Sequence, residues 1–345
     1  MSPAADRDVL SRALDEITGE AACAAVVTVD DEHGTWSAAR GLADVPAHRP
    51  ATPQDRFRAG SIVKTFVAAT VLQLVGEGVL RLSDTVADWL PGTVPDGDRI
   101  SLRQLLNHTS GLYDVIDAMP VSPAHLAGVA RLHTIAPDRL VRAATACPPH
   151  FPPGAGWRYS NTNYVLAGML IERATGRPYE EEVRRRIVGA LGLRHTVLPA
   201  TSPFLPGPHL RAYLWPGRPA ARPLLDITVQ NPSRAWASGD LVSTAGDLTY
   251  FLSELLAGRL LPPPLMDEML STVPGTNDRD YGLGLFRMSV PGGTRVWGNS
   301  GAYGGYVTFM LRSEDRARGA TISVTPRSGA AIQSVLKFAV TYFGA

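Results

Sequence analysis

The sequence carries its strand-like segments at the two ends of the chain and its helical segments between them. Short apolar or alternating runs bounded by Gly, Pro or Asp predict strands at Ala21–Val29, Thr35–Arg40, Tyr281–Met288, Thr294–Trp297, Tyr306–Arg312 and Ala320–Val324. Apolar residues at helical spacing predict a helix over Val9–Ile17 and another over Gln333–Tyr342. Because strands from both ends must pair to bury their apolar faces, we expect an α+β fold with one antiparallel sheet built from both termini and flanked by helices.

The middle of the chain predicts an inserted, mostly helical domain. Between Leu82 and Arg222, helical pieces alternate with loops rich in Pro and Gly, and strand alternation is nearly absent. Ile62–Val75 is apolar on nearly every side, which is typical of a helix at the centre of a protein. We therefore predict a discontinuous sheet domain (residues 1–80 and 225–345), a helical domain (residues 81–224) and an active site at their interface.

Composition excludes several classes of protein. Lys and Arg number 33 against 32 Asp and Glu, so the chain lacks the basic excess of a nucleic-acid-binding protein. No apolar run reaches the roughly 20 residues of a membrane span. The first residues lack the cationic and apolar regions of a signal peptide, so we expect a cytoplasmic protein. Cys23 and Cys147 have no metal-binding spacing and the histidines are scattered, so we expect no metal and no cofactor.

Lysine is almost absent from this chain. Of the 33 basic residues only Lys64 and Lys337 are lysines, and Lys64 stands at the start of the apolar helix. Lysine can lose its proton when it is buried, whereas arginine effectively cannot, so a retained lysine indicates general-base chemistry. Ser61 precedes Lys64 by three residues, and a helix places such a pair on one face. A hydroxyl beside a base is the arrangement of an activated nucleophile.

Each motif also has a plainer structural interpretation. Ser61 can simply cap the helix while Lys64 extends to solvent. Tyr159 and Asn161 follow a loop rich in Pro and Gly, where a phenol and an amide can either handle protons and carbonyls or fill the core. Asn299 begins a polar triplet near a predicted strand end, which alone indicates no more than a hairpin. His108 lies in a loop and is interpreted as structural.

Taken in order along the chain, the three motifs resemble those of the serine β-lactamase and penicillin-binding-protein superfamily. Within it, the sequence is similar to the class C-type branch and especially to the secreted Streptomyces D-alanyl-D-alanine carboxypeptidases. The resemblance covers nearly the whole chain, with matching segments at 55–61, 105–112, 159–164 and 281–285. It implies a β-lactamase/transpeptidase-like fold, which agrees with the arrangement expected from the order of strands and helices.

The resemblance also implies a role for each motif residue. Ser61 would form an acyl-enzyme, Lys64 would take its proton, and Tyr159 would pass a proton to the leaving group. Asn161 would bind the acyl-side carbonyl of the substrate. The backbone N–H groups of Ser61 and Ala302 would form the oxyanion hole. Two aromatic residues are further candidates for lining the cleft: Trp236 and Tyr303.

Three positions depart from the pattern of those carboxypeptidases. Asn299 stands where the family commonly has Lys or His, so this position carries no positive charge. Phe286 stands where an Arg binds the terminal carboxylate of the substrate, and Ala302 where a Thr contacts the same group. Arg287 falls on the opposite face of a strand from Phe286. We expect a binding site that does not require a free carboxylate on the substrate.

Three functions stay open at this point. The first is an acyl-serine hydrolase or acyltransferase, acting on a small ester, thioester or peptide and suited to a biosynthetic pathway. The second is a D-alanyl-D-alanine carboxypeptidase or β-lactamase that holds the substrate carboxylate with Ser300, Arg287 or another Arg. The third is a non-catalytic binding protein on the same fold. The expected partner is a small-molecule or peptide acyl substrate, with no nucleic acid and no membrane, and the oligomeric state is left open.

Overall fold

A computed structural model describes residues 3–214, 225–276 and 278–344. Its strands are β1 (Ala22–Asp31), β2 (Gly34–Asp44), β3 (Arg49–Pro50), β4 (Phe57–Gly60), β5 (Tyr213–Leu214), β6 (Leu225–Asp226), β7 (Leu241–Ser243), β8 (Val273–Pro274), β9 (Arg279–Tyr281), β10 (Phe286–Ser289), β11 (Arg295–Tyr303), β12 (Tyr306–Ser313) and β13 (Gly319–Pro326). Its α-helices are α1 (Pro3–Glu20), α2 (Val63–Gly76), α3 (Val86–Trp89), α4 (Leu102–Leu106), α5 (Val115–Ala118), α6 (Pro123–Ala127), α7 (Pro137–Thr145), α8 (Asn161–Thr175), α9 (Tyr179–Val183), α10 (Ala245–Leu256), α11 (Pro263–Leu270) and α12 (Ala331–Phe343). Short 3-10 helices span Val129–Leu132, Pro232–Arg234 and Trp236–Ser238, and a π-helix spans Arg184–Val188.

One antiparallel sheet joins the two ends of the chain, which confirms the predicted fold class. Its strand order in the described residues is β3-β2-β1-β13-β12-β11-β10-β9-β8. The first strand, β1, pairs with the last strand, β13, with Ala25 opposite Val324 and Val27 opposite Ile322. The helices from α3 to α9 lie between these strands in the sequence.

Alternation along β1 shows how the sheet is covered on both faces. Ala25, Val27 and Val29 belong to the buried cluster that contains α1 and α12. Ala24 and Val26, which point the other way, belong to the larger core that contains α2, α8 and α10. The two terminal helices therefore cover one face of the sheet, and the centre of the protein lies on the other.

Helix α2 occupies that centre, as its all-round apolar sequence predicts. Phe66 stacks on Phe251 of α10 with ring centroids 3.7 Å apart. Lys64 is fully buried in the first turn of α2, at 0% exposure. An ammonium group in such a place must be neutralised or held by hydrogen bonds, because burial of an unpaired charge is costly.

The structure corrects the predicted strand over Tyr281–Met288. Two strands, β9 and β10, replace it, because the chain turns between Gly282 and Leu285. Gly284 in this turn has a φ of +81°, and a Cβ there would lie 3.0 Å from the carbonyl oxygen of Lys64. The turn is therefore packed directly against the start of α2.

The described residues bear on two further predictions, which concern membrane spans and the division into domains. Among the described helices, none combines the length and the apolar character that crossing a membrane requires. The predicted domain boundary at residue 224 lies outside the described residues, and the division into two domains stays a prediction.

Candidate active site

Ser61 lies in the turn between β4 and α2, beside the middle of β11. Gly60 has a φ of +56°, and a Cβ there would lie 2.9 Å from the backbone N of Ala302. A Cβ on Gly301 would in turn lie 3.0 Å from the backbone N of Ser61. The two glycines thus let β11 approach the turn closely and bring the N–H groups of Ser61 and Ala302 to the same edge of the cleft. Two such donors can stabilise a developing oxyanion.

The hydroxyl of Ser61 is held by two proton-handling groups. Lys64 Nζ donates a hydrogen bond to Ser61 Oγ at 3.0 Å, and Tyr159 Oη donates one at 2.7 Å. Tyr159 comes from the loop before α8, so the three residues meet only through the tertiary fold. The arrangement has a nucleophile, a candidate base and a candidate proton donor within hydrogen-bond distance of one oxygen.

The environment of Lys64 suits a base. Lys64 Nζ also donates to Asn161 Oδ1 at 2.8 Å and to the carbonyl oxygen of Ser238 at 2.6 Å. Burial lowers the pKa of Lys64 to about 7, and the negative charge of Asp114 acts in the opposite direction. At neutral pH a substantial fraction of the Lys64 side chains is therefore uncharged and able to accept the proton of Ser61.

Asp114, which the sequence patterns did not single out, fixes the amide of Asn161. Asn161 Nδ2 donates to both carboxylate oxygens of Asp114, at 3.1 and 2.9 Å. The amide oxygen of Asn161 is thereby turned toward Lys64. Asp114 also caps α5 by accepting a hydrogen bond from the N–H of Ile116 at 3.0 Å. No short motif marks Asp114, because its partner lies 47 positions later in the chain.

Tyr159 is surrounded by aromatic rings and carries its proton. Burial raises the pKa of Tyr159 well above its ordinary value. The His108 ring lies 4.4 Å from the Tyr159 ring, between centroids. Burial holds the pKa of His108 well below its ordinary value, and its Nδ1 accepts a hydrogen bond from the N–H of Ser160 at 3.2 Å. A neutral, buried His108 is consistent with its interpretation as a structural residue.

Two cavities lie near Ser61, one lined by Ser61 itself and one by its hydrogen-bond partner Tyr159. The first, here called the Arg131 cavity, has a volume of about 300 Å³ and is lined by Ser61, Asn161, Ala302, Tyr303, Arg131 and Arg234, among others. Its lining therefore includes the predicted nucleophile, the predicted carbonyl-binding amide and both residues of the predicted oxyanion hole, Ser61 and Ala302. Among the residues predicted to line the cleft, Tyr303 is found in its wall.

The second cavity, here called the Arg279 cavity, has a volume of about 220 Å³ and lies on the Tyr159 side. Its lining includes Tyr159, Phe286, Ser300 and Arg279. The guanidinium carbon of Arg279 lies 4.6 Å from the centroid of the Phe286 ring. The sequence analysis missed this cation, because Arg279 belongs to β9 and not to the strand on which an Arg was expected.

One known protein family matches nearly the whole chain. Residues 10–334 match the Beta-lactamase family. The chain belongs to this family. The match covers the strands of both ends and the helices between them, and it includes all three motifs that surround the cleft.

Solved structures of similar proteins cover nearly the whole chain. A D-stereospecific amidohydrolase from Streptomyces sp. is 37% identical, with a TM-score of 0.88, over 98% of this chain and 99% of that one. The D-amino acid amidase from Ochrobactrum anthropi SV3, complexed with L-phenylalanine amide, is 26% identical, with a TM-score of 0.87, over 97% and 98% of the two chains.

Curated relatives are longer than this chain. Esterase EstB of Burkholderia gladioli is 34% identical over 54% of this chain and 50% of its own length. Two Bacillus subtilis penicillin-binding proteins are also similar to this chain. The chain spans 50% to 62% of the length of these three relatives. The names of these relatives therefore describe proteins that are longer than the region they share with this chain.

In this member of the beta-lactamase family, Asn299 is 3% exposed and lines the Arg279 cavity, while its side-chain amide is bonded to other parts of the protein. It lies within β11, not at a strand end as predicted. Asn299 Nδ2 donates to Thr65 Oγ1 at 3.1 Å, to the carbonyl oxygen of Gly284 at 3.0 Å and to that of Ser61 at 3.4 Å. The amide thus joins β11, the start of α2 and the turn after β9. Its hydrogen bonds hold the frame of the site together and leave proton transfer to other groups.

The other predicted substrate-binding residues are divided between cavity and core. Phe286 and Ser300 line the Arg279 cavity. Trp236 does not line either cavity: it is 7% exposed and packs edge-on against Tyr179, with ring centroids 4.7 Å apart. Its neighbours Ala235 and Ser238 reach the Arg131 cavity instead. Arg287 forms an ion pair with Asp280 at 2.8 Å and is absent from the lining of both cavities.

Proposed function

We propose that the protein is a serine hydrolase that cleaves amide or ester bonds of small D-amino acid derivatives through an acyl-enzyme on Ser61. The observation that carries this proposal is the pair of hydrogen bonds from Lys64 and Tyr159 to Ser61 Oγ, in a residue that lines the Arg131 cavity. The amidohydrolase and the amidase that align with nearly the whole chain support amides of D-amino acids as the substrate class.

Acylation follows from the positions of these three side chains. The neutral amine of Lys64 accepts the Ser61 proton while Ser61 Oγ forms a bond to the substrate carbonyl carbon. The negative charge on the carbonyl oxygen is stabilised by the N–H groups of Ser61 and Ala302. The bond to the leaving group then breaks, and Tyr159 gives its proton to the departing nitrogen or oxygen. The proton held by Lys64 restores the phenol of Tyr159, so the first half-reaction balances.

Deacylation uses the same groups in reverse. A water molecule adds to the acyl carbon from the Tyr159 side, and its proton passes by way of Tyr159 to Lys64. The tetrahedral intermediate collapses, the bond between the acyl carbon and Ser61 Oγ breaks, and Ser61 recovers its proton. Asn161 keeps Lys64 in position throughout, because its amide oxygen accepts from Lys64 Nζ while its amide nitrogen donates to Asp114.

Intact-protein mass spectrometry and an ammonia-release assay test this function. The wild-type protein is expected to gain one fluorophosphonate adduct, and Ser61→Ala to gain none. Wild type is also expected to release ammonia from D-phenylalanine amide faster than from L-phenylalanine amide, with no release by Ser61→Ala. Absence of both labelling and turnover would leave the non-catalytic interpretation standing.

Arg279 favours a second candidate, a peptidase whose leaving group carries a carboxylate. The guanidinium lines the cavity on the Tyr159 side, where the leaving group receives its proton. None of the described carboxylates forms an ion pair with Arg279. Ser61-dependent release of D-alanine from N-acetyl-D-alanyl-D-alanine, faster than release of ammonia from N-acetyl-D-alaninamide, would favour this candidate. A persistent adduct with benzylpenicillin, which carries a carboxylate, would point the same way.

A further inference from the structure

The Arg131 cavity has a cationic wall. Arg131 and Arg234 line it, whereas its lining in the described residues contains no Asp or Glu. Elsewhere arginines are commonly paired: Arg186, for example, forms ion pairs with Glu77 and Glu182. The positive charge of the cavity wall is therefore not neutralised by the described parts of the protein itself.

Arg234 has nitrogen atoms without partners. Its Nε and Nη2 are buried, and neither has a hydrogen-bond partner among the described residues. Nε of Arg131 is also buried and has no hydrogen-bond partner among the described residues. Nη1 of Arg131 donates to the carbonyl oxygen of Leu126 at 2.7 Å. Burial lowers the pKa of Arg234, and the opposing influence comes from the Tyr303 phenol and not from a described carboxylate. Buried donors without acceptors cost free energy unless a bound group satisfies them.

Backbone hydrogen bonds join the two segments that carry Arg131 and Arg234. The N–H of Asn231 donates to the carbonyl oxygen of Arg131 at 2.8 Å, and Asn231 Nδ2 donates to that of Leu132 at 3.1 Å. These bonds connect the 3-10 helix of Arg131 to the 3-10 helix that ends at Arg234. The cationic wall is thus a built feature that spans two segments, and not two separate surface side chains.

The residues that line the two cavities indicate which half of the substrate the cationic wall contacts. Tyr159, the proposed proton donor to the leaving group, lines the Arg279 cavity. Asn161, proposed to contact the acyl side, lines the Arg131 cavity. A group bound between Arg131 and Arg234 therefore belongs to the acyl half of the substrate.

We propose that the acyl group taken by this enzyme carries a carboxylate at its far end, which binds between Arg131 and Arg234. This inference rests on the proposed function and narrows its substrate class: an acyl group with an anionic tail is preferred, and a free ammonium group is disfavoured. Paired guanidinium groups bind carboxylates through charge-assisted hydrogen bonds. The same positive charge repels the ammonium of an unmodified amino acid.

Three p-nitroanilides of D-phenylalanine test the inference, because they share the D-phenylalanyl and leaving groups and carry N-substituents of different charge. These are the N-succinyl, N-acetyl and unmodified compounds, with negative, neutral and positive charge. We expect kcat/KM to be at least about tenfold higher for the succinyl than for the acetyl compound. Arg234→Gln and Arg131→Gln are each expected to reduce this ratio severalfold, whereas Arg139→Gln, an exposed arginine of α7, leaves it unchanged.

The outcomes separate this inference from the proposed function. Ser61-dependent turnover with equal rates for the succinyl and acetyl compounds, or with the unmodified amine preferred, would overturn the inference alone. Absence of turnover with all three, together with absence of fluorophosphonate labelling, would overturn the proposed function.

The inference is then tested by calorimetry on Ser61→Ala: N-succinyl-D-phenylalanine should bind at least about tenfold more tightly than N-acetyl-D-phenylalanine, and Arg234→Gln should remove the difference. Equal binding would contradict it.

Discussion

The reacting centre and the walls of the two cavities differ in how their polar groups are satisfied. Around Ser61, the side chains of Lys64, Asn161 and Asp114 are linked by short hydrogen bonds. In the cavity walls, Arg234 keeps buried nitrogen atoms without partners, and Arg279 has no ion pair with a described carboxylate. On the proposed function, the groups that move protons are held in one geometry, whereas the arginines proposed to bind substrate are left unsatisfied. We therefore expect the centre to carry the chemistry and the cavity walls to select the substrate.

The largest effect is expected from Lys64→Arg, which keeps the charge but removes the ability to accept a proton. Since arginine stays protonated, kcat for p-nitrophenyl acetate should fall by about 10³-fold, within the range of general-base contributions. Lys337→Arg is the matched control, because Lys337 is the other lysine and pairs with Glu16 on the surface. If Lys64→Arg keeps a tenth of the wild-type rate, the centre does not work through this base.

A smaller effect, with its own pH signature, is expected from Asp114→Asn. In the wild type, protonated Lys64 is inactive, so kcat/KM should rise with pH up to about 7 and then level off. The charge of Asp114 raises the pKa of Lys64, so its removal should move the rising limb to lower pH. The rate on the plateau should fall by about tenfold as Asn161 loses its orientation.

The pH–rate profile separates this positioning role from a merely structural one. Asp138→Asn, which removes an exposed carboxylate of α7, is the control and should leave the profile in place. A plateau loss in Asp114→Asn without any shift of the rising limb would mean that its charge does not reach Lys64.

The smallest effect is expected from Arg279→Gln, and only for one type of leaving group. The ratio of kcat/KM for N-acetyl-D-alanyl-D-alanine to that for N-acetyl-D-alaninamide should fall by up to about tenfold, since one charge-assisted contact is lost. Arg287→Gln is the control on the opposite face of the neighbouring strand, β10. An unchanged ratio in Arg279→Gln would mean that the Arg279 cavity does not select for a carboxylate.

The sequence was informative where function depends on residues close together in the chain. Ser61 and Lys64 are one helical turn apart, and Tyr159 and Asn161 two residues apart, so each pair forms a recognisable pattern. Asp114 and Arg279 reach the site from separate loops and strands, and no local spacing reveals them. The sequence shows that position 299 carries no charge, because the residue is an asparagine. The hydrogen bonds by which Asn299 links Thr65 to Gly284 depend on contacts that only the folded chain creates.

The same reasoning explains the errors in the fold. Tyr281–Met288 has the apolar content of one strand, but Gly282 and Gly284 allow the turn that packs against α2. Trp236 has the size and type of a cleft residue, and its burial against Tyr179 depends on neighbours far away in the sequence. Apolar content predicts that a residue is buried, whereas its partners are decided by tertiary packing.

The pairing of β1 with β13 has a consequence for how the protein is made. Ala24 on β1 donates its N–H to the Thr325 side chain on β13, 301 positions later. On the ribosome, β1 emerges long before its partner has been translated, and the N–H group of Ala302 also arrives late. A nascent chain therefore contains Ser61 and Lys64 long before the residues of β11 that complete the proposed oxyanion hole. Such long-range closure is slow compared with local helix formation, so on the proposed mechanism the site can acylate only after β11 and β13 have been translated and paired.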